Sequence, residues 1–134
     1  MHASWTGRQG DRARAVELFA AQLADRIRVK GPGHPGVLST RFQIAVWTSN
    51  AGDPVRAIEL FTQLLADSIR VLGEHHPHTV ATGYRLGLSA RAAGRLDLAA
   101  EQFAVTHDEW TNRFGPDSPQ ARKAGELIYR IKAE

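Results

Sequence analysis

The chain has 134 residues, 43% hydrophobic and 23% charged, a balance that fits one globular domain with a modest core rather than a disordered or membrane protein. Its formal charge is +3, with Lys only at positions 30, 123 and 132 and Arg spread along the chain, so no basic patch marks nucleic acid as a partner. Cysteine is absent, which removes disulfides, thiol nucleophiles and thiolate metal ligands, and no apolar run approaches the ~20 residues of a membrane helix.

In chain order, the opening MHASWTGRQGDRAR has no apolar leader segment, and the expected location is the cytosol. A first helix is predicted from about Asp11 to Lys30. A second, from about Gly36 to Ala51, places Leu38, Phe42, Ile44, Ala45, Val46 and Trp47 without an internal Gly or Pro, and Gly52 stops it. Asp53 then caps a helix with Pro54 at its first position, and Ala57, Ile58, Phe61, Leu64, Leu65, Ile69 and Leu72 make one apolar stripe up to Gly73. Further helices are predicted over about His78–Ala93, Leu96–Phe114 and Gln120–Lys132. No segment alternates with period two, so the fold class is all-α.

These elements recur. Gly10, Gly52 and Gly94 are 42 residues apart, as are Gly31, Gly73 and Gly115, and Pro35, Pro77 and Pro119. The segment from Trp5, WTGRQGDRARAVELFAAQLADRIRVKGPGHP, lies without a gap over that from Trp47, WTSNAGDPVRAIELFTQLLADSIRVLGEHHP; the copy from Ser89 has drifted but keeps Ala99, Glu101 and Phe103. A fixed period of this length is the signature of a stacked helical array. The expected units are 1–35, a partial first repeat lacking most of its leading helix, then 36–77, 78–119, and a capping helix over 120–134.

With Ile44-Ala45 and Leu86-Gly87 in first helices, Ala57-x-x-x-Phe61 and Ala99-x-x-x-Phe103 in second helices, and the exits VLGEHHP and FGPDSP, the chain resembles the tetratricopeptide repeats. The form is the 42-residue one of kinesin light chains and many bacterial regulatory proteins, and with the Arg- and Ala-rich, Lys-poor composition it makes a bacterial source the expectation. The resemblance implies a right-handed α-α superhelix, a solenoid of helix pairs. Ala45 or Gly87 and Ala57 or Ala99 would let paired helices approach, with Phe61 and Phe103 filling the space between pairs.

It also implies a non-catalytic interaction module whose first helices line a groove. The matching positions are Phe42, Gln43, Val46, Ser49 and Asn50, then Tyr84, Arg85, Leu88 and Arg91, then Lys123 and Arg130. Apolar area with a basic margin fits a protein or peptide bearing apolar anchors and acidic groups; the opposing reading is that Phe42 and Tyr84 pack between helices and the arginines are solvated. The Lys/Asn carboxylate clamp of chaperone-binding members has no counterpart, because Ser39, Phe42 and Val46, then Ala81, Tyr84 and Leu88, occupy those places. The Asn pair of kinesin light chains is likewise replaced by Phe42-Gln43 and Tyr84-Arg85. No nucleic acid, membrane or cofactor is expected.

The incomplete first unit leaves Phe19 and Leu23 short of one neighbour. The expected explanation is that the chain is cut from a longer array; its rival is a homodimer through that open edge, as in an oligomerisation or regulatory segment of a larger signalling protein.

Motifs for catalysis are missing: there is no GxxxxGK[ST], no GxGxxG after a strand, no HExxH and no GxSxG. His107, Asp108 and Glu109 are consecutive on a helix and diverge. GEHHPHT, Gly73–Thr79, has the residue types of a metal site, but its equivalents are GPGHP and GPDSP. Only His76 recurs, as His34 and then Ser118, each directly before Pro; that places the histidines at helix N-caps and predicts no metal site. His75 and His78 are expected to be exposed neighbours.

Overall fold

The computed structural model describes the backbone of residues 2–31 and 33–133, and the side chains of residues 10, 11, 14–31 and 33–133. Six helices follow one another: α1 His2–Lys30, α2 Pro35–Asn50, α3 Pro54–Leu72, α4 Pro77–Ala92, α5 Leu96–Phe114 and α6 Pro119–Ala133. Each packs on the next, and α2 also touches α4, which makes the fold an all-α helical-repeat solenoid. There is no strand among the described residues.

The punctuation is chemical. His34 Nδ1 accepts from the Gly36 N–H at 3.0 Å, His76 Nδ1 from the His78 N–H at 3.0 Å, and Ser118 Oγ from the Ala121 N–H at 3.1 Å. Each satisfies one of the donors left free at a helix start, directly before a Pro that needs none. Asp53 Oδ1 does the same for the Arg56 N–H at 3.0 Å.

At the other ends, Gly52 and Gly94 sit at φ +95° and +80°. Around Gly52 the Asp53 N–H reaches Thr48 O and the Gly52 N–H reaches Ser49 O; around Gly94 the Arg95 N–H reaches Ala90 O and the Gly94 N–H reaches Arg91 O. Both are Schellman closures, which need the left-handed conformation glycine adopts without strain.

Gly10 departs from the expected turn. α1 starts at His2 rather than near Asp11 and runs through Gly10, which has no positive φ. The equivalent turns at Gly52 and Gly94 fold a first helix back onto its second; without a packed first helix, the chain here continues as one long helix.

Between the pairs lies one apolar cluster including Leu38, Ala45, Ala57, Phe61, Leu64, Leu86, Ala99 and Phe103. Close approach is imposed by size: a Cβ built on Gly87 would lie 2.6 Å from Phe103 Cε1. Phe61 and Phe103 are 1% and 0% exposed, whereas Phe19, their equivalent on α1, is only half-buried.

Candidate functional site

α2, α4 and α6 form one row of helices. Ser49 Oγ and Ser89 Oγ approach to 3.5 Å between α2 and α4, and Lys123 Nζ of α6 stands 5.6 Å from the Tyr84 ring centroid of α4. Residues three, four and seven apart share one side of each helix, so Phe42, Val46 and Ser49 align on α2 and Tyr84, Leu88 and Arg91 on α4.

Phe42 is half-buried, edge-on to Phe61 with centroids 5.9 Å apart and tilted against His78 at 5.3 Å. Tyr84 repeats this one period later, between Phe103 at 6.0 Å and Trp110 at 5.1 Å, under the Lys123 ammonium. Val46 and Leu88 are partly buried against the core. Gln43 and Asn50 are exposed, and Asn50 has an interaction of its own.

Several cations are already paired with a carboxylate. Arg130 is held by Glu126 at 2.6 Å, Arg41 and Arg70 both by Asp67, and Arg56 by Glu59. Among the described residues no ion pair joins Arg85, Arg91 or Lys123. The structure thus brings Tyr84 and Lys123 together, leaves Arg85 and Arg91 without a carboxylate, and removes Arg130 from the free cations.

Two aromatic neighbours carry no signal in the sequence. Trp110 stands where the preceding unit has Ser68, so periodicity gave it no weight. His78 was expected to be exposed, and this is corrected: its ring lies on Phe42, and Nδ1 and Nε2 are buried without a hydrogen-bond partner. Burial, assisted by the nearby His76, holds the His78 imidazole below its ordinary pKa.

His75 is exposed as expected, but its Nδ1 is paired with Glu109 and its carbonyl accepts from Arg113 Nη2 at 2.6 Å, which ties the loop to α5. Among the described residues no group of three or more His, Asp or Glu gathers in a way that could hold a metal ion. Likewise no described helix is long and apolar enough to cross a membrane.

Residues 37–78, one period of the chain, match the tetratricopeptide repeat family. In the solved structures, the chain is similar to the nearly identical TPR-like repeats of a protein from Podosopora anserina described as a kinesin light chain, and to a single-substitution variant of those repeats. The identity is 22% in both; the match covers 92% of this chain and 59% and 58% of those chains, with TM-scores of 0.84 and 0.83. At that identity the likeness establishes the fold, and the chain spans under two thirds of those relatives. No curated protein matches. Residues 37–78 thus match one tetratricopeptide repeat, and the helix order and period of the described chain are similar to those of the solved repeats. Such repeats generally mediate protein–protein interaction and are typically non-catalytic.

Proposed function

We propose that this tetratricopeptide-repeat chain is a non-catalytic interaction module that holds a peptide segment or partner domain along the α2–α4–α6 row. The reading is carried by Arg85, Arg91 and Lys123 standing without carboxylates beside Phe42, Tyr84 and Leu88, while Arg41, Arg56, Arg70 and Arg130 are ion-paired. Half-buried rings next to unpaired cations suit a segment with apolar anchors and acidic side chains: the rings supply desolvated area, and a guanidinium takes a carboxylate through two parallel N–H donors. Gln43, Val46 and Asn50 extend the row along α2, and Arg130 serves as a second-line cation already neutralised by Glu126. The cytosol fits a module of this kind.

The test is affinity for a partner recovered by the wild-type chain. Arg85→Glu reverses an exposed charge and should weaken binding by about tenfold while the circular dichroism melt stays unchanged. Unaltered affinity would remove Arg85 and its neighbours from the interface.

A second reading, self-association through the N-terminal edge, is favoured by one observation: Leu18 and Val29 of α1 are 59% and 74% exposed. A head-to-tail stack is disfavoured, because Tyr129 of α6 stands where Ala45 and Gly87 admit a second helix. Self-association would therefore bring α1 against α1. Light scattering over a concentration series separates the readings, since a strict monomer at high micromolar concentration removes the second.

A further inference from the structure

Between α3 and α5, floored by α4, lies an open cavity of about 260 Å³. Leu65 and Ile69 form one wall, Val105 the other, with Val80 and Gly83 beneath and Glu74 at the edge. It is built on second helices, apart from the Phe42–Tyr84–Lys123 row, so it does not rest on the groove reading.

The preceding unit shows what this place can hold. Forty-two positions earlier, Leu23, Arg41, Leu60 and Gln63 stand for Leu65, Gly83, Gln102 and Val105, and they line a smaller cleft of about 180 Å³. There Arg41 fills the position that Gly83 leaves bare. Its side chain is 17% exposed and its Nη1 meets Asp67 Oδ2 at 2.7 Å, an alkyl stem between helices ending on a carboxylate. One unit later the carboxylate at Asp67's position, Glu109, is instead engaged by His75 from the connecting loop.

Four polar residues line the Gly83 cavity: Glu74, Thr79, Gln102 and Thr106, whose Oγ1 donates to the Gln102 carbonyl at 2.9 Å. Thr79 is 3% exposed, with its Oγ1 buried beneath the surface and unpartnered among the described residues. Among the described residues Glu74 is the only Asp, Glu, Lys or Arg lining the cavity, and its carboxylate lies 3.4 Å from His75 Nε2. One carboxylate beside apolar walls, at the place where the preceding unit puts Arg41, suits a positively charged donor group on an apolar stem, which among side chains is best met by arginine.

We propose that the cavity over Gly83 is a docking site for a single arginine side chain of a partner protein. The stem lies against Leu65, Ile69, Val80 and Val105, and the guanidinium donates to the Glu74 carboxylate. The partner's arginine does from outside what Arg41 does from within.

The probe is n-butylguanidinium, titrated into the isotope-labelled full chain and followed by amide and methyl shifts, with n-butylurea as the neutral analogue. The expected result is saturable shifts confined to Leu65, Ile69, Val80, Gly83 and Val105, with a dissociation constant on the order of millimolar for a group this small. Glu74→Gln should weaken binding about threefold, and Gly83→Arg should abolish it by supplying the side chain internally. A Cβ at Gly83 meets nothing nearer than Gln102 Oε1 at 3.4 Å, so a side chain can start there without a clash; Gly83→Leu, which fills the same space, is the check if the first does not fold. Absence of saturable shifts, equal binding of n-butylurea, or binding that persists in both Gly83 variants would each overturn the proposal.

Discussion

Two glycines one turn apart in α4 have opposite roles. Gly87 is required by a close approach, since any Cβ there would meet the Phe103 ring at 2.6 to 3.2 Å, whereas at Gly83 a Cβ would make only an ordinary contact with Gln102 Oε1 at 3.4 Å. Gly87→Ala should therefore destabilise the fold by about 1–3 kcal/mol through overpacking, and Gly83→Ala should be neutral or stabilising by up to about 1 kcal/mol from helix propensity; denaturant midpoints of the two variants distinguish them. Phe61→Ala, at a 1% exposed position, should cost about 3–5 kcal/mol, and Phe19→Ala less, because its ring is half-uncovered. Two titrating groups make the fold acid-sensitive. Asp67 is held below the usual aspartate range first by its hydrogen bond from Arg41, against the opposing effect of burial, and then by Arg70. A lowered folded pKa means the unfolded chain binds protons more readily, so each group's contribution is complete above its ordinary value and is lost as pH falls towards the folded one. His78 should act first, just below the ordinary histidine range, and Asp67 below the ordinary aspartate range. Melts against pH should lose the upper step in His78→Ala and the lower in Asp67→Asn.

At the scale of the element, helix ends were legible because caps are local. Asp53, His34, His76 and Ser118 each bond a backbone N–H two or three residues on, and each stands beside a proline that marks the start. Gly52→Ala should cost about 1–2 kcal/mol, the penalty for a Cβ in the left-handed region, read as a lower urea midpoint. Gly10 is the instructive exception: it shares the period but not the turn. Its counterparts bend because a packed first helix holds the chain on both sides, a condition outside the local sequence. Gly10→Ala should then stabilise α1, by up to about 1 kcal/mol. His78 eluded local reasoning for the same reason, since the Phe42 ring that covers it comes from the preceding unit.

For the molecule as a whole, the 42-residue period determined most. Equivalent residues recur at equivalent depths, so the order of helices, the small residues at their crossings and the buried Phe61 and Phe103 could be read before any contact was known. A repeat ties sequence to neighbour relations because each unit packs only on the next. Function is less periodic, and there long-range contacts took over. Whether an arginine is free depends on which carboxylate comes near it: Glu126 takes Arg130 and Asp67 takes Arg41, while Arg85 and Arg91 find none among the described residues. Whether a glycine is a contact or a cavity depends on the helix opposite, which separates Gly87 from Gly83. The array was written in the order of residues alone, because its signals lie within a turn or repeat at a fixed interval. Which side chains remain available to a partner emerged with the folded chain, because pairing and burial are set by residues from other units.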